Sequence, residues 1–365
     1  MDFAFSEEQQ MLRDSARSYL SEKYGLDDIA KLARSDDGWR PESFAEIAEL
    51  GWTGLSIPEE HGGAGMGFTD EIVVFEELGR ALYPGPYFST ISLALPALTG
   101  NGDLLAAVAG GEKSATLAWA EPPGAASITD TSDIKTKAEK TNGTWSLTGE
   151  KHLVPDLAIA DVVIVTARSP EGVGLWAVDR GAGQAKSHST MDATRRYGTL
   201  TLSGTAAEPL VEPGPADKIL GTIRTRALAA AAVEAVGVAQ RALELAIDHV
   251  KERKQFDKPI GSYQAVSHQV ANSYVETELA RSLAYWAAWC VDENDEQAAA
   301  AVPAAKAAAG EAAVAACERA IQVHGGIGFT WEHPLHLFYK RAQWLESFEG
   351  FASTQRSEVA RSLLG

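Results

Sequence analysis

A chain of 365 residues with 45% hydrophobic and 22% charged side chains is long enough for two or three domains with a sizeable core, and it has the balance of an ordinary globular protein. Its 32 Lys and Arg against 50 Asp and Glu leave a net charge of −18, which repels phosphate backbones and argues against nucleic-acid binding. No apolar run approaches the ~20 residues of a membrane span, MDFAFSEEQQ lacks the basic and apolar regions of a secretory signal, and Cys290 and Cys317 stand outside any CxxC pattern, so a cytoplasmic, reducing setting without disulfides or structural zinc is expected.

Residues 1–112 read as an N-terminal helical domain. Ser6 followed three residues later by Gln9 is a capping-box start, and the stretches 42–50 and 70–82 are amphipathic. HGGAGMG at 61–67 has the glycines of a phosphate loop. It lacks the Gly-Lys-Ser/Thr ending and a clear preceding strand, so it reads as a turn-rich connector. Residues 113–215 change period. SATLAWAE, TWSLTGEKHLV, DVVIVTAR and VGLWAVD are rich in Val, Ile, Thr and Trp and are broken by Gly, Asn, Asp and Pro, which predicts an antiparallel β domain.

Residues 216–365 return to helix. From Leu228 the apolar positions step by four and three through Ala232, Ala235, Ala239, Ala242 and Ala246 to Val250. The many alanines allow helices to approach closely. Ser262 is expected to cap a second long helix ending near Asp292. Pro303 is expected in the first turn of a third helix that reaches about Gln322. Trp286 and Trp289 read as bundle core or subunit interface. His324, His333 and His336 have neither HExxH nor zinc-type spacing, so no metal is expected. The overall expectation is an α+β fold of helical domain, β domain and helical bundle.

Two segments in the last third carry chemistry: Arg253-Lys254-Gln255-Phe256-Asp257-Lys258-Pro259-Ile260-Gly261 and Gln322-Val323-His324-Gly325-Gly326-Ile327-Gly328-Phe329. Arg253 offers a fixed fork of donors suited to a pyrophosphate oxygen. Phe256 offers a flat apolar face. Gly325 and Gly326 let backbone approach a ligand without a Cβ, and Gln322 can donate and accept. Singly, these residues are better explained as a surface Arg, a core Phe and a helix C-cap; the joint pattern is what points to a ligand.

With DFAFSEEQQ, PEEHGGAGMG, FEELGR at 75–80, RTR at 224–226 and QVHGGIGFTWEHPLHLFYKRA, those segments make the chain resemble the acyl-CoA dehydrogenase family over nearly its whole length. The resemblance implies a helical domain, a middle antiparallel β-barrel-like domain and a C-terminal four-helix bundle. It also implies FAD as cofactor. In that family the two segments reach across a dimer interface to the flavin of the neighbouring subunit, which makes Arg253, Phe256, Gln322, Gly325 and Gly326 cofactor contacts. The family oxidises an acyl-CoA at its α and β carbons: a carboxylate takes the α proton and a hydride leaves the β carbon for flavin N5. Such a base needs a mostly apolar pocket to bring its pKa toward the working range, and the thioester oxygen needs donors. One common base position is a Glu-Gly pair after the Gly-Gly loop and its following helix, here Glu349-Gly350. The other precedes an Arg that matches Arg226, where Thr225 cannot serve. Arg226 itself is a weak candidate for substrate binding.

The chain departs from the family pattern at the residues a subunit offers to its own flavin. The T/S-E-P-x-A-G-S-D segment reads Ala120-Glu121-Pro122-Pro123-Gly124-Ala125-Ala126-Ser127. The G-x-K-x-W-I-T segment reads Gly149-Glu150-Lys151-His152-Leu153-Val154-Pro155, and the Gly-Thr after the base is Gly350-Phe351. Leu153 cannot stack like Trp, and Pro155 has neither hydroxyl nor amide hydrogen. The sorting of losses and retentions implies an α2β2 heterotetramer in which a related chain carries the intact flavin pocket. A homo-oligomeric enzyme, a non-catalytic partner subunit, and an acyl-CoA oxidase or flavin monooxygenase relative are the alternatives. By analogy, the acceptor is an electron-transfer flavoprotein and the substrate a fatty or bulky ring-bearing acyl-CoA such as a steroid side-chain thioester.

Overall fold

The structure, a computed structural model, describes residues 5–122, 127–214 and 216–365. In chain order it runs α1 (Glu7–Lys23), α2 (Leu26–Leu32), α3 (Ser43–Glu49), α4 (Phe68–Ala81) and α5 (Gly102–Ala109), then β1 (Ala115–Ala118), β2 (Lys137–Thr141), β3 (Thr144–Pro155), β4 (Val162–Ser169), β5 (Gly172–Asp179), β6 (Gln184–His188) and β7 (Tyr197–Val211). There follow α6 (Ala216–Glu252), a hairpin of β8 (Lys254–Gln255) and β9 (Lys258–Pro259), α7 (Gln264–Asp292), α8 (Ala298–His324), α9 (Leu335–Ser347) and α10 (Ala352–Leu364). Two compact units result. Among the described residues no helix is long and apolar enough to cross a membrane.

One unit comprises Trp39–Gly67 and Pro84–Ala227. Its sheet runs β1-β4-β2-β3-β7-β5, and a further β4–β5 pairing closes the five inner strands into a barrel. Closure removes the open edges that a flat sheet would leave. Ala118, Leu147, Val154, Val163, Val165, Trp176 and Leu200 fill the core, where Trp145 meets Trp176 edge to face at 5.3 Å between centroids. The expected antiparallel pattern holds for most pairs, but β1 runs parallel to β4, with Ala115 opposite Val162, and β2 meets β4 in parallel at Lys137 and Arg168. The long connection between β1 and β4 permits a crossover that a hairpin would not. A buried π-helix spans Phe88–Ala94. It is tied to the barrel because Thr90 Oγ1 both donates to the Ala115 carbonyl and accepts from the Ala115 amide, each at 3.0 Å.

The HGGAGMG connector folds on itself. The amides of Ala64, Gly65 and Met66 donate to the carbonyls of Gly54, Ile57 and Leu55, and a Cβ at Gly63 would stand 2.0 Å from the Ile57 carbonyl oxygen. Its glycines serve a tight turn, and those three amides are spent within the chain.

The other unit comprises Met1–Gly38, Phe68–Tyr83 and Leu228–Gly365. The Ser6/Gln9 capping box is formed at the start of α1. The alanine stripe of α6 is buried, and α4 crosses it at paired glycines. A Cβ at Gly79 would lie 2.2 Å from the Glu234 carbonyl oxygen, and one at Gly237 would lie 2.0 Å from that of Glu76. Arg341 and Glu234 form a fully buried ion pair at 2.5 Å. The Asp292 carboxylate at the end of α7 accepts from the amides of Phe68 and Thr69, capping α4.

Two helix-start expectations need correction. Ser262 does not cap α7: the N-cap is Tyr263, with no side-chain cap, and Ser262 Oγ donates to the Pro259 carbonyl instead. Pro303 is not in a first turn. It lies inside α8, which starts at Ala298 because Asp295 Oδ1 takes the Gln297 amide at 2.8 Å and turns the chain earlier.

Candidate functional site

In the helical unit, α6 ends one residue before Arg253. The chain then makes a two-residue hairpin whose tip is Phe256-Asp257, at φ +52° and +64°. Positive φ at both central residues is the type I′ geometry that matches strand twist, and it normally selects Asn-Gly. A phenylalanine there is strained, and its ring is 86% exposed. Tyr263 braces the turn: its hydroxyl donates to the Gln255 carbonyl at 3.1 Å and its ring sits edge-on to Phe256. Arg253 is exposed, and its guanidinium has no hydrogen-bond or ion-pair partner among the described residues.

The Gly-Gly segment follows α8. Gly325 ends the helix at φ +66°, ψ −143°, a region open to glycine alone. A Cβ at Gly325 or Gly326 would meet nothing within 4 Å, so packing inside the chain does not explain the second glycine. Gln322 is exposed beside them. A ring stack joins the two segments. His249, one turn before Arg253, lies against His324, the last residue of α8, with centroids 4.1 Å apart, and His333 lies 4.7 Å from His324. His249 carried no motif signal beyond its position four residues before Arg253.

Glu349 lies in the corner between α9 and α10, half-buried, at φ +54°. Left-handed backbone costs a Glu roughly 1–2 kcal/mol, and the corner is held by surrounding groups. Fully buried Gln355 donates Nε2 to the Glu349 carbonyl at 2.7 Å, and buried Lys306 donates to the Glu346 carbonyl at 3.1 Å. Gln355 was invisible in the sequence because its role depends on how α10 folds back.

In the barrel unit, Ala120 is buried and Leu153 is 45% exposed. Leu153 sits at φ +50° where the β3–β7 register slips between Lys151 and Val154, a bulge of the kind that re-aims side chains beside sites. The Pro155 carbonyl accepts from Thr116 Oγ1 at 2.6 Å, and the Ala120 carbonyl from the His152 amide at 2.8 Å. Pro123, Gly124, Ala125 and Ala126 of the Glu-Pro segment lie outside the described residues, as do Asp2, Phe3 and Ala4 of the N-terminal match.

Beneath this surface the fully buried Lys151 ammonium meets Glu121 Oε1 at 2.6 Å, Thr166 Oγ1 at 2.9 Å and the Trp119 carbonyl at 3.3 Å. Glu121 also accepts from Thr136 and from the Lys135 amide. Burial pulls the Lys151 pKa down to about 8 against the attraction of Glu121. Burial pushes Glu121 the other way, but the Lys151 charge and these hydrogen bonds outweigh it and hold the carboxyl below its ordinary value. Arg226 is committed within the same unit, donating Nε to the Ile91 carbonyl of the π-helix at 3.3 Å and an Nη to Ser56 Oγ at 3.1 Å. Among the described residues no group of three or more His, Cys, Asp or Glu is arranged to hold a metal ion.

Known proteins share this fold. The chain matches the models for the N-terminal domain of acyl-CoA dehydrogenase over residues 6–103 and for its C-terminal domain over 224–364. It is 35% identical to acyl-CoA dehydrogenase IpdE2 of Mycobacterium tuberculosis, over 98% of each chain. The chain belongs to the acyl-CoA dehydrogenase family. Among solved structures, the Tcur3481–Tcur3483 steroid ACAD variant is 30% identical with a TM-score of 0.86 over 98% of each chain. The ChsE4–ChsE5 complex of Mycobacterium tuberculosis is 26% identical with a TM-score of 0.87, over 100% of this chain and 99% of that one. As an acyl-CoA dehydrogenase the chain is an oxidoreductase acting on acyl-CoA, with the family's helical, β-barrel-like and helical layout.

Proposed function

We propose that this acyl-CoA dehydrogenase is one half of an α2β2 heterotetramer and completes the FAD site of a related chain. The observation that carries the reading is the segregation of its residues. Arg253, Phe256, Gln322, Gly325 and Gly326 are all exposed, and the two glycines face empty space. The residues available to its own flavin are Ala120, an outward Leu153 and Pro155, with no hydroxyl and no indole among them. The first set fits a pyrophosphate and a flat ring system; the second does not fit a flavin held by hydroxyls and a stacked aromatic. When bound, FAD supplies the hydride acceptor for the dehydrogenation. This chain's part is to bind and orient: Arg253 by its forked donors, Phe256 by its ring face, the glycines by bare backbone. Two structural relatives carry paired names, which supports a two-chain assembly. One of them is a steroid ACAD, which supports a bulky, ring-bearing acyl-CoA as substrate; an electron-transfer flavoprotein as acceptor rests on family analogy alone.

Glu349 favours a second reading. Strained backbone braced from the far side is the sort of feature retained at chemical sites. Under that reading Glu349 is the base that removes the α proton, and the chain keeps a working acyl-CoA site of its own. The test is the visible absorption spectrum of the chain purified alone and then together with a related chain that has an intact Thr/Ser-Glu-Pro segment and tryptophan. The heteromeric reading expects flavin absorption only in the mixture. A full complement of flavin in the isolated chain overturns it.

A further inference from the structure

The three-histidine stack stands outside the family's flavin and base positions, and it touches both segments that the proposed function relies on. His249 belongs to the last turn of α6, whose carbonyl at that position accepts the Arg253 amide at 2.9 Å. His324 ends α8, and its Nδ1 lies 2.7 Å from the Ala320 carbonyl. That contact requires Nδ1 to carry the proton, which fixes the ring's tautomer and orientation. His333 closes the far side, with its Nδ1 accepting the Leu335 amide at 3.2 Å. That acceptor role requires a neutral Nδ1. The cluster therefore has a hydrogen-bonded neutral form in which His249 and His324 stack face to face, at 24° between planes, and His333 packs against His324 tilted by 51°.

We propose that His249, His324 and His333 are positioning residues that, as a neutral stack, lock the Arg253–Ile260 hairpin to the Gly325–Phe329 turn, and that acidification releases the two segments from each other. The charges around the stack favour such a response. His249 is held below its ordinary pKa by burial, then by His324 and Arg253, with Glu252 pulling the other way. His333 is held down by burial and by His324 and His249. Next to it, burial together with Lys340, Arg34 and His333 lowers His336 to about 4. A proton on His249 or His333 therefore meets positive charge on several sides.

The sign follows from linkage. A histidine whose folded pKa lies below its unfolded value of ~6.5 stabilises the fold fully above that value, and this contribution is lost as pH falls from there through the folded value. The stack should be closed at pH 7.5 and should loosen as pH falls below about 6.5.

The role assigned to the surface rests on the heteromeric reading, but the lock itself can be tested without a partner. Amide hydrogen exchange of the full chain is measured at pH 7.5 and 5.5, corrected for the intrinsic rate, over peptides covering 253–263 and 324–333. Wild type should lose protection at pH 5.5 in both segments together, by about tenfold or more. His249→Phe keeps a stacking ring and removes one of the titratable ones, so it should lose clearly less protection than wild type between the two pH values. His249→Ala should be exposed in both segments at both pH values. The proposal is overturned if His249→Phe loses protection in parallel with wild type, or if the two segments respond independently. Absence of flavin rescue in a partner mixture would count against the heteromeric reading alone.

Discussion

At the scale of single residues, the buried Lys151–Glu121 pair is the most exposed to a mutational test. Lys151 is entirely enclosed and has three oxygen partners, so removing it strands the carboxylate of Glu121, whose side chain is 8% exposed. Breaking one member of such a pair costs roughly 3–5 kcal/mol. Lys151→Met should lower the denaturation free energy by about that amount at pH 7, read from urea unfolding. The double variant Lys151→Met/Glu121→Gln should recover part of the loss. Glu349 makes a different prediction: Glu349→Gln is nearly isosteric and keeps the Gln355 contact to its carbonyl. Stability should be unchanged, while turnover of the assembled enzyme should fall about 10²- to 10⁴-fold if Glu349 is the base. Unchanged turnover would remove it from the chemistry. The candidate residues that the sequence singled out, such as Arg253 and the Gly-Gly pair, stood in contiguous motifs. Gln355, Thr116 and His249 were not legible there, because each acts on a residue that only the fold brings within reach.

At the scale of elements, periodicity and composition located α4, the long α6 and the strands β1, β3, β4 and β5, since burial of one face is written into residue spacing, but β7, the longest strand, gave no such signal. Helix starts were harder. Ser262 has the chemistry of a cap but spends its hydroxyl on Pro259, and Pro303 is tolerated inside α8 where the first-turn rule would exclude it. The parallel β1–β4 pair could not be read from composition, because alternation does not report strand direction.

The β8–β9 hairpin offers the sharpest test at this scale. A type I′ turn prefers Asn-Gly, so Phe256 and Asp257 pay a local strain that the fold does not require. Phe256→Asn/Asp257→Gly should therefore stabilise the chain by about 1 kcal/mol, seen as a rise of a few degrees in Tm. The same change removes the exposed ring and should weaken flavin retention in the two-chain assembly. Opposite signs in the two measurements would mark Phe256 as kept for a ligand; a fall in both would mean that the aromatic is structural.

At the scale of the whole molecule, the question is which chain feels the loss of a residue. Arg253 is exposed and engages no hydrogen-bond or ion-pair partner among the described residues, so its own fold gains little from it. Surface substitutions away from such features usually change stability by no more than about 0.5 kcal/mol. Arg253→Ala should accordingly leave the Tm of the isolated chain within a degree or two. In the assembly, a charge-assisted hydrogen bond to a phosphate oxygen contributes about 1.5–3 kcal/mol, equivalent to roughly a ten- to more than hundredfold rise in the Kd for FAD. The chain's net charge of −18 sharpens the expectation, because an anionic cofactor approaching this acidic surface depends on such local positive groups. Flavin release from the assembly, followed by fluorescence at fixed ionic strength, gives the measurement. A large rise in Kd with an unchanged Tm for the isolated chain is what a residue held for another subunit's cofactor requires. Unchanged FAD affinity would return Arg253 to the status of an ordinary surface arginine and take the trans contact with it.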